Sequence, residues 1–97
     1  MKEFDISRIN KDFESRVRLG IMSVLMVNDW VNFIEMKKIL DLTDGNLSSH
    51  SMTLESKNYI EVRKAFVGKK TETSYRISNE GRIAFKQHLK ALVEMIN

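Results

Sequence analysis

Two stretches of the chain hold residue types with chemistry to offer. From Thr43 to Thr53 the sequence places Thr43, Gly45, Asn46, Ser48, Ser49, Met52 and Thr53 between the apolar Leu47 and its neighbours. Short hydroxyl and amide groups can bond base edges or phosphates with no long side chain to order. From Arg63 to Arg76, the basic residues Arg63, Lys64, Lys69, Lys70 and Arg76 stand against Glu72 alone, a local excess of four charges in a chain whose net charge is +3. The rest of the chain is therefore close to neutral. A concentrated basic stretch on a neutral body suits an anionic polymer. Charge alone equally allows a solvated hairpin whose lysines block edge-to-edge aggregation.

Other chemistry finds little support. His50 and His88 are the only histidines, and neither has a His or carboxylate at ligand spacing. A lone histidine on an inward helix face is ordinarily a hydrogen-bonded packing residue. Cysteine is absent, which removes disulfides, thiolate metal sites and cysteine nucleophiles together. Gly20, Gly45, Gly68 and Gly81 are isolated and make no phosphate loop. Ser48 and Ser49 adjoin His50, but adjacency along a chain is not triad geometry. The sequence predicts no catalysis, no metal and no cofactor.

The elements that must position these stretches follow from spacing and capping. Ile6, Ile9 and Phe13 suggest a short leading helix, and Ser15 to Val27 a stronger one with Val17, Ile21, Val24 and Leu25 on its apolar stripe. Gly20 either admits a close neighbour or is a tolerated imperfection. Trp30-Val31 reads as a very short strand. Asn32 then caps a helix over Phe33 to Leu40, with Glu35 three residues on. Thr43 caps the next helix, which reaches about Lys57 and turns Leu47, His50, Leu54 and Ser51 inward. Tyr59 to Arg63 and Thr73 to Ile77 alternate around Gly68-Lys69-Lys70, a hairpin with a basic tip. Ser78 opens the last helix. Trp30, Phe33, Phe66 and Phe85 are expected in the core, and the methionines as filler.

With 97 residues, 42% hydrophobic and 30% charged, the chain is expected to be a single domain over 1–97. Its class is mostly α with a small β-hairpin. Residues 1–14 form an arm or short helix, and 78–97 a dimerisation helix. The mixed charges of Met1 to Asp5 are unlike a secretory signal, and the most apolar run, Leu19 to Val27, is too short for a membrane span. A cytoplasmic location with no membrane partner is expected.

Two short helices joined by a tight turn and followed by a hairpin resemble the winged helix-turn-helix transcriptional regulators, particularly small MarR/ArsR-like members. The resemblance runs from about Ser15 to Leu92. It is carried by Leu42 to His50, Leu54-Glu55, Tyr59 to Val62, the wing Lys64 to Thr71, and Tyr75 to Arg82. It implies that Thr43 to Lys57 is a recognition helix for double-stranded DNA. In such a helix Thr43, Gly45, Asn46, Ser48, Ser49, Met52 and Thr53 would face the groove. Arg63, Lys64, Lys69, Lys70 and Thr71 would hold the backbone or minor groove. It further implies a sequence-specific regulator, a repressor; an ArsR-type metal site would need several ligand residues at spacings this sequence does not offer. A protein-interaction module built on the same fold is the alternative. Three residues depart from the pattern: Ser51 replaces an inward leucine, Met52 a polar or basic residue, and Asn79 a proline. The apolar arc of the last helix is too wide for one core. A homodimer is therefore expected through Ile6, Ile9, Phe13, Phe85, Leu89, Leu92 and Ile96. The sequence names no effector.

Overall fold

The computed structural model describes residues 3–97; Met1 and Lys2, the start of the stretch read as unlike a signal peptide, lie outside the described residues. The leading segment is not one helix. It forms two 3₁₀ turns, Ile6–Arg8 and Lys11–Phe13. Ile9 and Asn10 keep an extended backbone between them, and Asn10 starts the second turn by accepting the Asp12 amide with its side chain, as Asp5 starts the first by accepting the Ser7 amide. Ser15 then caps α1 (Arg16–Val27), which buries Ile21, Met22 and Leu25.

β1 (Val31–Asn32) leads directly into α2 (Phe33–Leu40), where the Asn32 side chain accepts the Glu35 amide at 2.8 Å. Asp41 ends α2 in the left-handed conformation, φ 51°, which short polar side chains tolerate. Thr43 caps α3 (Asp44–Ser56), accepting the Asn46 amide at 3.1 Å. β2 (Ile60–Val67) and β3 (Lys70–Ile77) pair antiparallel from Ile60 with Ile77 to Val67 with Lys70. Both strands therefore run further towards the tip than alternation alone suggested. The two-residue loop has positive φ at Gly68 (66°) and not at Lys69, as a type II′ hairpin requires. β1 adds to the other edge of β3, giving the order β1-β3-β2. Ser78 caps α4 (Asn79–Met95). The result is a mostly helical fold with a three-stranded antiparallel sheet, a winged helix.

The core sits where α1, α3 and α4 meet the sheet base, around Phe13, Leu25, Leu54, Tyr75 and Phe85. Phe13 packs edge-on against Phe85, with centroids 5.2 Å apart. The molecule measures 61 × 25 × 21 Å with a radius of gyration of 14.9 Å, above the ~13 Å of a compact domain this size. The far half of the hairpin and the end of α4 project from the body.

Three sequence expectations change here. Phe66 is 80% exposed, because its place lies beyond the part of the hairpin that α3 covers. Trp30 is half-buried at the sheet surface, outside the core. On α4 the inward line is Gly81, Phe85, His88 and Ala91, and Leu89, Val93, Met95 and Ile96 remain exposed. Phe13 and Phe85, at 1% exposure, are core residues of one chain and cannot also present surface to a second.

Candidate nucleic-acid interface

α3 turns Leu47, Ser51 and Leu54 inward. The opposite face exposes Gly45, Asn46, Ser48, Ser49 and Met52, with Thr53 half-buried at its edge. The Thr43 hydroxyl is held as the cap, and the Thr53 hydroxyl donates to the Ser49 carbonyl at 3.3 Å. Asp44 would repel a phosphate at this helix start, but its carboxylate pairs with Lys37 of α2. Asn46 borders a groove that Arg16 of α1 also lines, on the opposite flank from Ser48. The buried Ser51 hydroxyl donates to the Ser48 carbonyl at 3.2 Å and hydrogen-bonds with the Tyr75 hydroxyl. Tyr75 borders the same space as Ser51. Burial pushes its phenol above the usual range, and the Ser51 bond opposes this.

The wing sorts its basic residues by strand alternation. Lys64 pairs with Thr73 and lies on the face turned towards α3, where Ser48, Met52, Lys64 and Thr73 border a cleft of about 180 Å³. Thr71, opposite Phe66, shares that face nearer the tip. Arg63 is on the other face. Its guanidinium lies 4.1 Å from the centre of the Trp30 ring, and that of Arg76 lies 4.6 Å from it. Arg76 also forks onto Glu61, with both contacts at 2.9 Å. Lys69 and Lys70 are exposed at the tip. The structure therefore brings Ser48, Met52 and Lys64 together across one cleft, and it separates Arg63 from Lys64.

A family model described as a winged helix DNA-binding domain matches residues 17–96. The chain belongs to the winged helix DNA-binding domain family. An uncharacterised protein of Methanocaldococcus jannaschii is 34% identical over 85 residues, covering 88% of this chain and 92% of that one. Among solved structures, a transcriptional regulator homologue from Pyrococcus horikoshii OT3 superposes with a TM-score of 0.81 at 33% identity, over 88% of this chain and 84% of that chain. Reduced HlyU from Vibrio cholerae shares the fold, with a TM-score of 0.66 at 23% identity over 78% and 76% of the two chains.

Within this winged helix the two histidines act as acceptors that fasten the leading segment. His88 Nδ1 accepts the Asn10 amide at 3.0 Å. Asn10 donates to the Tyr59 hydroxyl, which donates in turn to Asp12. His50 Nδ1 lies 3.0 Å from the Arg18 guanidinium, and Arg18 also donates to the Asp12 carbonyl. Arginine has no acceptor, so His50 must be the acceptor and neutral. Burial lowers the affinity of both imidazoles for a proton; Arg18 lowers it further at His50, while Glu14 opposes the shift at His88. Among the described residues no group of His, Cys, Asp and Glu could hold a metal ion, and no helix is long and apolar enough to cross a membrane.

Sequence reasoning missed Lys37 as the partner of Asp44, Arg16 beside Asn46, and Trp30 as a seat for two arginines. The first lies seven residues away and was within reach of a pattern search. Contacts that cross from Trp30 to strands more than thirty residues on leave no local signal.

Proposed function

We propose that this chain is a sequence-specific regulator of transcription that binds double-stranded DNA as a homodimer and represses by occupying its site. One observation carries the reading: the outward face of α3 is a strip of short, exposed groups, from Gly45 and Asn46 to Ser49 and Met52, beside a projecting basic hairpin. Such a strip enters a major groove without steric conflict, and its amide and hydroxyls match base-edge donors and acceptors. Lys64, Lys69, Lys70 and Thr71 then meet the backbone or the adjacent minor groove. Arg63 meets phosphate from its seat on Trp30. The family assignment and the Pyrococcus regulator homologue support the same reading.

The homodimer rests on the apolar surface left over from the core. Ile6, 74% exposed, and Leu89, Val93, Met95 and Ile96 on α4 form that surface, with Ile9 and Leu92 half-buried at its margin. Arg8 pairs with Glu94 and ties the leading segment to α4. A two-fold dimer built there would offer two α3 helices to half-sites about one helical turn, ~34 Å, apart. A domain whose surfaces meet DNA and its own copy acts by exclusion, which is repression, and its place of action is the cytoplasm.

The test is fluorescence anisotropy on duplexes from the DNA flanking its gene, with sedimentation of the free protein. The reading expects a dimer at micromolar concentration and one duplex bound at least ~10³-fold more tightly than random sequence. Equal, weak binding to all duplexes would favour the protein-interaction module.

A further inference from the structure

We propose that Phe66 is an apolar wedge that the wing drives between base pairs from the minor groove, so that this protein bends the DNA it binds. The proposal rests on the DNA-binding reading above. Phe66 is 80% exposed and Val67 58% exposed, one pair short of the hairpin turn. The residue opposite Phe66 is Thr71, too short to cover an aromatic ring.

Three features choose the occupant. Alternation puts Phe66 on the same sheet face as Lys64 and Thr73, which border the cleft with Ser48 and Met52 of α3. The ring therefore lies on the side of the molecule that carries the groove-facing residues. Phe66 lies four positions along β2 from Val62 of the Val62–Tyr75 pair at the edge of the core, about 13 Å at ~3.3 Å per residue. A helix seated in the major groove has minor groove about half a helical turn, ~17 Å, to its side. The wing thus projects over a distance of the same order. Charge supplies the third feature. Lys64 shares the face of the ring and Lys69 stands beyond it in the turn, while Lys70, opposite Val67, and Glu72, opposite Ala65, lie on the other face. An exposed aromatic ring between Lys64 and the basic tip fits a polyanion with an apolar interior, which is the base stack of a duplex. A second copy of this chain would set lysines against lysines. Side chains such as Phe and Leu, inserted between base steps, kink duplexes by tens of degrees.

The experiment measures bend angle and affinity together, on a tight-binding duplex labelled with a donor and acceptor at its ends. Wild type is expected to shorten the end-to-end distance, with a 2-aminopurine placed at the wedged step brightening as it unstacks. Phe66→Ala should abolish both signals and weaken binding about tenfold. It should leave the slope of log K against log [salt] and the melting temperature unchanged, because no charge and no core contact is removed. Phe66→Leu, which keeps an apolar wedge, should retain most of the bend. A bend and affinity unchanged in Phe66→Ala would overturn the proposal while leaving DNA binding intact. So would a Phe66→Ala that loses self-association and keeps its bend, which would place the ring between copies. Wild type that binds no duplex would refute the underlying reading instead, and is seen before any variant is made.

Discussion

Replacing Gly81 by alanine tests how α4 is seated, and with it the packing that holds both the wing base and the leading segment. A Cβ at position 81 would lie 1.9 Å from the Tyr59 carbonyl oxygen and 2.8 Å from its carbon. The atoms it meets are backbone, so no rotamer change relieves the clash. Reaching an ordinary C···O separation of ~3.3 Å requires a retreat of about 1.4 Å. That movement strains the junction in which the Ser78 amide donates to the Tyr59 carbonyl at 3.0 Å and the Ser78 hydroxyl to the Asn58 carbonyl at 2.6 Å. Overpacking costs about 1–3 kcal/mol, and each weakened hydrogen bond about 1 kcal/mol. Alanine returns about 1 kcal/mol through helix propensity. The expected net loss is about 2–4 kcal/mol, a fall in Tm of about 10–30 °C for a domain of this length. The control is Gly45→Ala, where nothing lies within 4 Å of the new Cβ. It should melt at or slightly above the wild-type temperature. Gly20→Ala falls between, since its Cβ meets the flexible Leu40 Cδ2 at 3.0 Å. Differential scanning calorimetry decides the order. A Gly81→Ala protein that melts with Gly45→Ala would refute the backbone contact and the seating of α4 derived from it.

Three further outcomes follow from the same contacts. Stability should depend on the two acceptor histidines: their folded pKa values lie below the ordinary 6.5, so the unfolded chain takes up protons first. The full contribution is present above pH 6.5, declines as pH falls below it, and is gone beneath the folded values; urea melts from pH 8 to 5 should show the loss, His88→Gln should reduce it, and a flat profile would contradict it. Trp30→Ala should cost about 1–2 kcal/mol through two lost arginine stacks, with Trp30→Phe recovering part in thermal melts; a Trp30→Ala protein as stable as wild type would mean the stacks carry nothing. The pair Lys69→Ala and Lys70→Ala should weaken binding to all duplexes alike and flatten the salt slope by ~0.9 per lost contact and subunit, whereas an unchanged slope would remove the tip from the DNA.

What was legible in the sequence was what one side chain can arrange within its own turn. Ser15, Asn32, Thr43 and Ser78 each cap a helix by accepting an amide three residues on, and all four helix starts follow from them. The hairpin was readable because alternation and Gly68 are local. The winged resemblance extended this to the order of elements. Illegible were the features decided by a distant partner. α4 has apolar residues nearly all round, so its period does not say which stripe is inward; the inward stripe includes His88, and the Asn10 amide that satisfies its ring is remote in sequence. Alternation gives Phe66 a face but not a cover, and the cover ends with α3. Trp30 looked like core because its arginine partners are remote in sequence. At the candidate interface the α3 residues were readable as a class, whereas the division of Arg63 from Lys64 needed the register of the sheet.

The central claim is that α3 reads base sequence. Its most direct test is the affinity of Asn46→Ala and Ser49→Ala for a tight-binding duplex and for a scrambled one, measured by anisotropy at fixed salt. The account predicts a loss of ~1–3 kcal/mol per base contact on the tight-binding duplex, relaxed preference at one base position, and nearly unchanged binding to the scrambled duplex. Equal losses on both duplexes would contradict it, because residues that lower both alike touch phosphate and carry no sequence information.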